Sequence, residues 1–385
     1  MKYCIICDDF PSEGRPTFVF VEQLVKELAK HGENITVIAP QSLTRHYLRH
    51  VPLLPYSIVV DNNGCPYRVV RPYSLSLGNC PLWLNNLLEK FRYRGICNAI
   101  KRFCPQPSLI YGHFWHSAFV VRKYAYKYGI PIVVACGEGD NAIEDLVSIM
   151  SDKEKKRFAK AVKAVVSVSS ENKRRSINYG LTTDSKVVVL PNSVDTTIFK
   201  KDQSRNIRKE LGVANDDFLI AFTGAFIHRK GSDRLSKAID MLSDNHIKVM
   251  FIGGKLEGDD ATPTCNGIVL QGRLDHTDVP QYLFAADCFC LPTLNEGCSN
   301  AIVEALACGL PVVSSNLPFN EDILDDTNSI LVDPMNVEEI ASALKKIKEN
   351  KTYRDKLSEG ALLKASELRI DVRAEKIIEF ITKKI

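Results

Sequence analysis

Asn295-Glu296-Gly297-Cys298-Ser299-Asn300-Ala301-Ile302-Val303-Glu304-Ala305-Leu306-Ala307-Cys308-Gly309-Leu310-Pro311 is the stretch that decides the reading of this chain. Its two carboxylates have the spacing Glu-x7-Glu. Asp287 to Leu291 is a short apolar run, and Pro311 to Val313 opens another, so the pair lies in a strand–loop–helix–strand unit. Ser299 is the expected helix N-cap, and Gly309 followed by Pro311 is the expected stop. Between them the helix is apolar except for Glu304, and a buried carboxylate is costly unless something binds it. Helical side chains lean toward their own N-terminus, which aims Glu304 back at the loop that holds Glu296. Both carboxylates are thus expected at a helix N-terminus, where free N–H groups and the dipole favour a phosphate. Carboxylates for sugar hydroxyls beside a phosphate cradle imply a nucleotide-sugar site.

Outward from that unit, strand and helix patterns alternate through the chain, which argues for parallel sheets. Tyr3–Cys7, Asn34–Ala39, Ser108–Tyr111, Ile130–Cys136, Ala164–Ser169 and Lys186–Leu190 read as buried strands, with helices at Phe18–His31 and Leu84–Phe103. The turn-rich, charged stretch 191–210 reads as a linker. A second set follows at Phe218–Thr223, Lys248–Ile252, Gly267–Leu270, Asp287–Leu291, Pro311–Ser315 and Ser329–Val332. The expected architecture is α/β, with two Rossmann-like, doubly wound domains facing across a cleft. Ligands then sit at the carboxyl ends of the strands. The 385 residues suffice for two domains, 1–190 and 191–364, followed by a tail helix at about 365–385.

Composition removes several function classes. A net charge of +4 is too small to argue for nucleic acid, and no apolar run approaches the ~20 residues of a membrane span. The chain opens Met1-Lys2-Tyr3-Cys4 directly into a strand pattern, so no secretory leader is expected. Of the 12 cysteines, Cys4, Cys136, Cys288 and Cys290 fall in apparent core strands, where a thiol behaves as a small hydrophobe. Cys4-x-x-Cys7 lies on one strand with no partner pair, so a reduced, cytoplasmic setting is expected.

Thr223-Gly224 ends the first strand of the second half, and Arg229-Lys230-Gly231 opens the next helix, with Ser232 as its expected cap. Two cations there would clamp a diphosphate and neutralise it as it leaves. Gly253-Gly254 permits close backbone approach, and Gln271-Gly272-Arg273 follows another strand on the same side. In the first half, Tyr111-Gly112-His113-Phe114-Trp115-His116 reads as lying just past a strand, which makes His113 and His116 candidates for sugar contact. The helix 84–103 would place Leu84, Leu87, Leu88 and Phe91 on one face, then Ile96, Ala99, Ile100 and Phe103. Lys90, Arg92, Arg94, Lys101 and Arg102 flank that face. A solvated core helix is one reading, and peripheral membrane docking through 84–104 is the other.

Residues 290–334 resemble the family-4 retaining glycosyltransferases of the GT-B fold. The resemblance rests on Leu291-Pro292, Glu296-Gly297, Glu304-Ala305, Gly309-Leu310-Pro311-Val312-Val313 and Val332-Asp333-Pro334. Gly224 with Arg229-Lys230-Gly231 looks like the branch containing lipopolysaccharide- and capsule-type bacterial enzymes. Ala225 stands where the family usually has Arg, which makes Lys230 a firmer carry-over than Arg229. Pro191-Asn192-Ser193-Val194-Asp195 resembles the interdomain segment, with Ser193 in place of Gly. Phe10-Pro11-Ser12-Glu13-Gly14-Arg15-Pro16 resembles the first cleft loop without its double glycine. Gly137-Glu138-Gly139-Asp140 stands where many members carry a sugar-contacting His, so that His has no counterpart and Glu138 or Asp140 is the candidate substitute.

The resemblance implies a retaining transfer of sugar from a nucleoside diphosphate donor to a saccharide or lipid-linked acceptor, in cell-surface polysaccharide synthesis at the cytoplasmic face of a membrane. Arg229 and Lys230 would stabilise the leaving diphosphate, helped by backbone N–H groups of Gly297, Cys298, Ser299, Asn300 and Ala301. Glu296 would hold the donor sugar, Glu304 the ribose, and Arg273 would lie beside the base. Gly14, His113, His116 and Glu138 would form the acceptor or sugar side. No nucleophile, cofactor or metal is expected, because side-chain cations and a helix end already supply positive charge; Asp259-Asp260 reads as a surface loop. An epimerase-like enzyme acting on sugar nucleotides and a non-catalytic partner subunit are the alternatives. Base, sugar, acceptor and linkage depend on the shape of the site and stay open.

Overall fold

The computed structural model describes all residues except 13–16, 78, 79, 140, 203 and 257. Ten strands come from the first half: β1 Lys2–Ile6, β2 Asn34–Ile38, β3 Gln41–Ser42, β4 Ser57–Val60, β5 Tyr67–Val70, β6 Tyr73–Ser74, β7 Leu109–His113, β8 Ile132–Cys136, β9 Val162–Ser167 and β10 Val187–Val189. The second half supplies β11 Phe218–Thr223, β12 Ile247–Ile252, β13 Ile268–Gly272, β14 Cys288–Leu291, β15 Val312–Ser315 and β16 Ser329–Val332.

Two compact units result. The first comprises Met1–Val168, Asn172–Leu190 and Arg373–Ile385; the second comprises Ser169–Glu171 and Pro191–Val372. The last helix is Ile370–Lys384, and only its part from Arg373 onward groups with the first unit. Residues 365–372, expected with that tail, group with the second.

The first sheet runs β10-β9-β8-β7-β1-β2-β5-β4 and the second β13-β12-β11-β14-β15-β16. Every pairing among described strands is parallel except β4 with β5. Such strands are covered on both faces, and β8 (Ile132-Val133-Val134-Ala135-Cys136) is buried at every position, as a continuous apolar run predicts. Among the parallel strands the order of each sheet reverses once, between β1 and β7 in the first and between β11 and β14 in the second. At such a switch point neighbouring loops part company and leave a crevice at the strands' carboxyl ends.

Several expectations change in position. β1 ends at Ile6, β7 continues through His113, and β8 starts at Ile132, two residues later than expected. The antiparallel pair β4–β5 is an addition, and its signal was present: Asn63 and Gly64 both take positive φ, 52° and 81°, in the connecting turn. The helix over 84–103 runs Leu82–Phe103, but its apolar residues split between two faces. Leu88, Ile96, Ala99 and Ile100 are buried, whereas Trp83, Leu87 and Phe91 form an i, i+4, i+8 stripe that is 69%, 57% and 42% exposed. Leu87 and Leu88 differ by about 100° around the helix, so they cannot share the core.

Candidate functional site

The switch point of the second sheet gathers most of the residues singled out for the donor. After β11 the chain passes Gly224 and makes a short 3-10 turn, His228–Lys230. Gly231 follows with φ 80°, and a Cβ on it would sit 2.6 Å from the Pro292 carbonyl oxygen. Only glycine fits there, so the turn packs directly on the loop that follows β14. Ser232 is the first residue of the helix Ser232–Leu242, not its cap; its hydroxyl donates to Ala261 O over 2.6 Å. Arg234, 3% exposed, donates to the carbonyls of His228 and Pro292 at 2.8 Å each and ties the two loops together beneath the surface.

On that scaffold the Lys230 ammonium meets the Glu296 carboxylate, and Arg229 Nη1 lies 3.8 Å from the same oxygen. Thr293 Oγ1 donates to it over 3.0 Å, while Arg229 Nη1 donates to Asn295 O over 2.6 Å. Glu296 retains only 12% side-chain exposure, and its carboxylate accepts from Lys230 and Thr293 with the Arg229 guanidinium close by. Ser314 Oγ and Ser315 Oγ donate to Leu291 O and Thr293 O, which fixes the loop from behind. Gly253 lets β12 close on this corner: a Cβ there would stand 1.8 Å from Gly224 O.

The helix after the loop is Asn300–Ala307 with Ser299 at its N-cap position, but the Ser299 side chain accepts no capping hydrogen bond. Its first N–H groups have no intrahelical acceptor and remain for a ligand or water. Pro191–Asp195 packs against this loop, with Asn192 donating to Cys298 Sγ (3.4 Å) and Cys298 O (2.9 Å). Glu304 lies one turn along and pairs with His276 Nε2 at 3.4 Å, a partner that sequence reading missed. That hydrogen bond raises the His276 pKa above its ordinary value against the opposing effect of burial. The two carboxylates therefore have separate partners, Lys230 with Arg229 for one and the His276 imidazole for the other. Arg273 is exposed and lies across Gly254, where a Cβ would meet its Nε at 2.7 Å.

A raised histidine pKa means a contribution present in full below the ordinary value near pH 6.5 and lost as pH climbs through the raised one. Replacing His276 with Asn is therefore expected to lower thermal stability more at about pH 6 than at about pH 9. An equal loss at both would show that the contact does not depend on the imidazolium.

In the first unit the picture differs from the expectation. His113 is the last residue of β7, not beyond it, and is 7% exposed with its ring against Phe18, Phe20 and Phe114. Burial, reinforced by Arg373, pushes its pKa down to about 3 and keeps it neutral. Trp115 is buried, with Nε1 donating to Ser176 Oγ over 3.1 Å. His116 is exposed on the next helix, in the field of Arg92, Asp8 and Glu89. Glu138 is buried and accepts from the backbone N–H groups of Trp115 and Gly137, so both its oxygens brace the chain; burial raises its pKa. Gly14 and Asp140 lie outside the described residues.

Among the described residues one set of metal-type ligands converges: His246 Nδ1 lies 3.3 Å from Asp217 and 3.7 Å from Asp216. It sits before β11, at the opposite end of that strand from Gly224. Asp259 accepts from His228 N and Asp260 from Thr262, so both are engaged in turns. All twelve cysteines are free thiols, and among the described residues no helix is long and apolar enough to cross a membrane.

Comparison with known proteins gives this geometry a family. The description "Glycosyltransferase Family 4" matches residues 18–198 and "Glycosyl transferases group 1" matches residues 203–363. A protein of Bacillus subtilis, provisionally described as a teichuronic acid biosynthesis glycosyltransferase, is 27% identical over 379 residues, covering 93% of this chain and 92% of its own. The UDP-Gal:alpha-D-GlcNAc-diphosphoundecaprenol alpha-1,3-galactosyltransferase of Escherichia coli is 26% identical over 205 residues, 50% of this chain and 53% of its own. Among solved structures, sucrose-phosphate synthase from Thermosynechococcus elongatus superposes with a TM-score of 0.77 at 16% identity, covering 99% of this chain and 98% of that one. The fold is GT-B, and the chain belongs to the family-4 glycosyltransferases.

Proposed function

We propose that this glycosyltransferase takes its sugar from a nucleoside diphosphate donor and delivers it, with retained anomeric configuration and without a metal, to a saccharide or lipid-linked acceptor of cell-surface polysaccharide synthesis. The observation that carries the reading is the cluster of Lys230, Arg229 and Glu296 at the switch point, against the N-terminus of the helix Asn300–Ala307. A carboxylate accepts from sugar hydroxyls; an ammonium, a guanidinium and free N–H groups take a diphosphate. The sugar–diphosphate junction of a donor would thus fall between Glu296 and Lys230. Glu304, held by His276, is the group for the ribose diol, and Arg273 the one beside the base.

In the step proposed, the bond from the anomeric carbon to the phosphate oxygen breaks while the acceptor oxygen bonds to the same face. The acceptor proton passes to the departing phosphate. Lys230 and Arg229 stabilise the charge that grows on that phosphate, which leaves no place in the step for a protein nucleophile. The relatives support the substrate classes: one is named for a UDP-sugar and a diphosphoundecaprenol-linked acceptor, the other for teichuronic acid biosynthesis. The exposed stripe Trp83, Leu87 and Phe91, with Lys90 and Arg94 beside it, is the surface assigned to membrane contact. Cosedimentation with phosphatidylglycerol vesicles, lost on Trp83→Ser with Leu87→Ser, checks that assignment.

The deciding experiment incubates the protein with a panel of UDP- and GDP-sugars and a glycolipid acceptor, in excess EDTA, and reads product configuration by NMR. Retained configuration with undiminished rate is expected. An inverted product, or activity that returns only on adding magnesium or manganese, overturns the corresponding part of the reading.

A further inference from the structure

His276 faces Glu304 from a seat that fixes its ring. It lies in the loop after β13, in a turn closed by Asp275 O, which accepts from Asp278 N at 2.9 Å and from Val279 N at 3.3 Å. The ring of Phe199, 5% exposed, meets the imidazole edge-to-face, with centroids 6.1 Å apart and planes at 72°. Phe199 is itself set by its N–H, which donates to Asp195 O over 3.0 Å. With the ring held in this way, Nε2 is presented to Glu304 Oε1 at 3.4 Å.

Glu304 depends on that contact. Among the described residues His276 is the one hydrogen-bond or ion-pair partner of its carboxylate. A glutamate carries three rotatable bonds, and an unheld carboxylate surrenders that freedom when a ligand arrives. His276 takes one oxygen and leaves the other for a ligand. The two side chains keep 30% and 17% exposure, so the pair is still open to one.

Few other charges lie near the imidazole. Arg273, Asp275 and Asp278 share its loop, and Asp278 is taken by Arg205 at 3.2 Å. Asp195 and Lys200 flank Phe199, and Asp195 Oδ1 accepts from Thr197 N at 2.9 Å. The helices Val279–Ala285 and Asn300–Ala307 carry no charged side chain besides Glu304. Glu304 raises the His276 pKa, by hydrogen bond and by charge, against the lowering effect of burial. The imidazolium is therefore present at pH 6.5, the ordinary value, and is lost at a higher pH.

We propose that His276 is a positioning residue: by holding one oxygen of Glu304 it presents the other to the ribose diol, and its proton couples donor affinity to pH. The proposal rests on the ribose role given to Glu304 above. A charge-assisted hydrogen bond holds more firmly than a neutral one, so the carboxylate is best oriented while the imidazole is protonated. Proton and nucleotide then favour each other's binding by the same factor. A donor without its 2′-hydroxyl gains less from the oriented carboxylate.

Calorimetric titration of the full chain tests this, with UDP-glucose, UDP-galactose and GDP-mannose and their 2′-deoxyribose analogues as probes. The diphosphate of a nucleotide sugar has no group that titrates between about pH 6 and about pH 8.5, so a change in affinity reports the protein. The ribonucleotide that binds is expected to bind about fivefold tighter at the lower pH, and its 2′-deoxy analogue to bind more weakly with a flat profile. His276→Asn should flatten the ribonucleotide profile at the weaker affinity. His276→Lys, charged at both values, should flatten it too and serves if the Asn variant folds poorly. A parent affinity independent of pH, a slope that survives in the variants, or an equal slope with the 2′-deoxy analogue overturns the proposal. Glu304→Gln judges the underlying reading. Unchanged affinity in that variant defeats the ribose role itself, whereas weakened affinity there beside a slope retained in His276→Asn defeats the positioning role alone. Binding of none of the three nucleotide sugars defeats the donor reading and this coupling with it.

Discussion

Lys230→Ala is expected to lower nucleoside diphosphate affinity and transfer rate together, with the rate falling about 10²–10³-fold, about 3–4 kcal/mol of lost stabilisation. The ammonium is the group nearest Glu296 and the one placed to meet charge on a departing phosphate. The fold should survive, because Thr293 Oγ1 at 3.0 Å and Arg229 at 3.8 Å still face the Glu296 carboxylate. A stability loss of about 1 kcal/mol is expected from the unbalanced acid. Glu296→Gln separates the roles: it should reduce transfer while leaving nucleotide affinity near its starting value. Calorimetry with UDP and GDP is the check, and affinity unchanged in Lys230→Ala would reject the diphosphate assignment.

Gly231→Ala should produce the largest structural effect at the site. The residue sits at φ 80°, and an added Cβ would meet Pro292 O at 2.6 Å, Arg234 Nη2 at 2.7 Å and Pro292 Cγ at 2.9 Å. Left-handed torsion costs about 1–2 kcal/mol for an L residue and overpacking about 1–3 kcal/mol, so roughly 2–5 kcal/mol is expected. The melting temperature should fall by several degrees, and nucleotide affinity should fall with it because Arg229 and Lys230 lose their seat on the Pro292 loop. Gly231→Asn distinguishes the two costs, since Asn tolerates the torsion but carries the same Cβ. Equal damage from both variants identifies the clash. Recovery with Asn would assign the effect to torsion alone, and a Gly231→Ala protein with the parent's melting temperature would remove the argument.

The Glu296–Glu304 stretch made one half of the site legible because its signals are local. Apolar runs at 287–291 and 311–313 specify neighbouring strands, and a short apolar helix between them sets where its own N-terminus lies. Strand and helix periodicity likewise specified alternating parallel units, with errors of a residue or two at their ends, where hydrogen-bonding geometry and not composition draws the boundary. The antiparallel pair β4–β5 is outside the expected strands, although Asn63-Gly64 carries a local turn signal for it.

Side-chain partners across long sequence separations belong to tertiary structure. Lys230 meets Glu296 over 66 residues, Glu304 finds His276 over 28, and Glu138 braces Trp115 over 23. Glu138 stands where the resembled family carries a His and His113 at the end of a strand, which makes both candidates for sugar contact; packing clamps one with backbone N–H groups and encloses the other in phenylalanines. A cavity at the carboxyl ends of β1, β2 and β5 has no sequence signature, since its walls come from five separate segments. By itself the sequence determined the repeating unit and the end of the second sheet at which the candidate donor residues gather. Which acid meets which base, and where space is left for a ligand, was decided by packing, because those distances depend on how sheets and helices stack and not on the order of residues along any one of them.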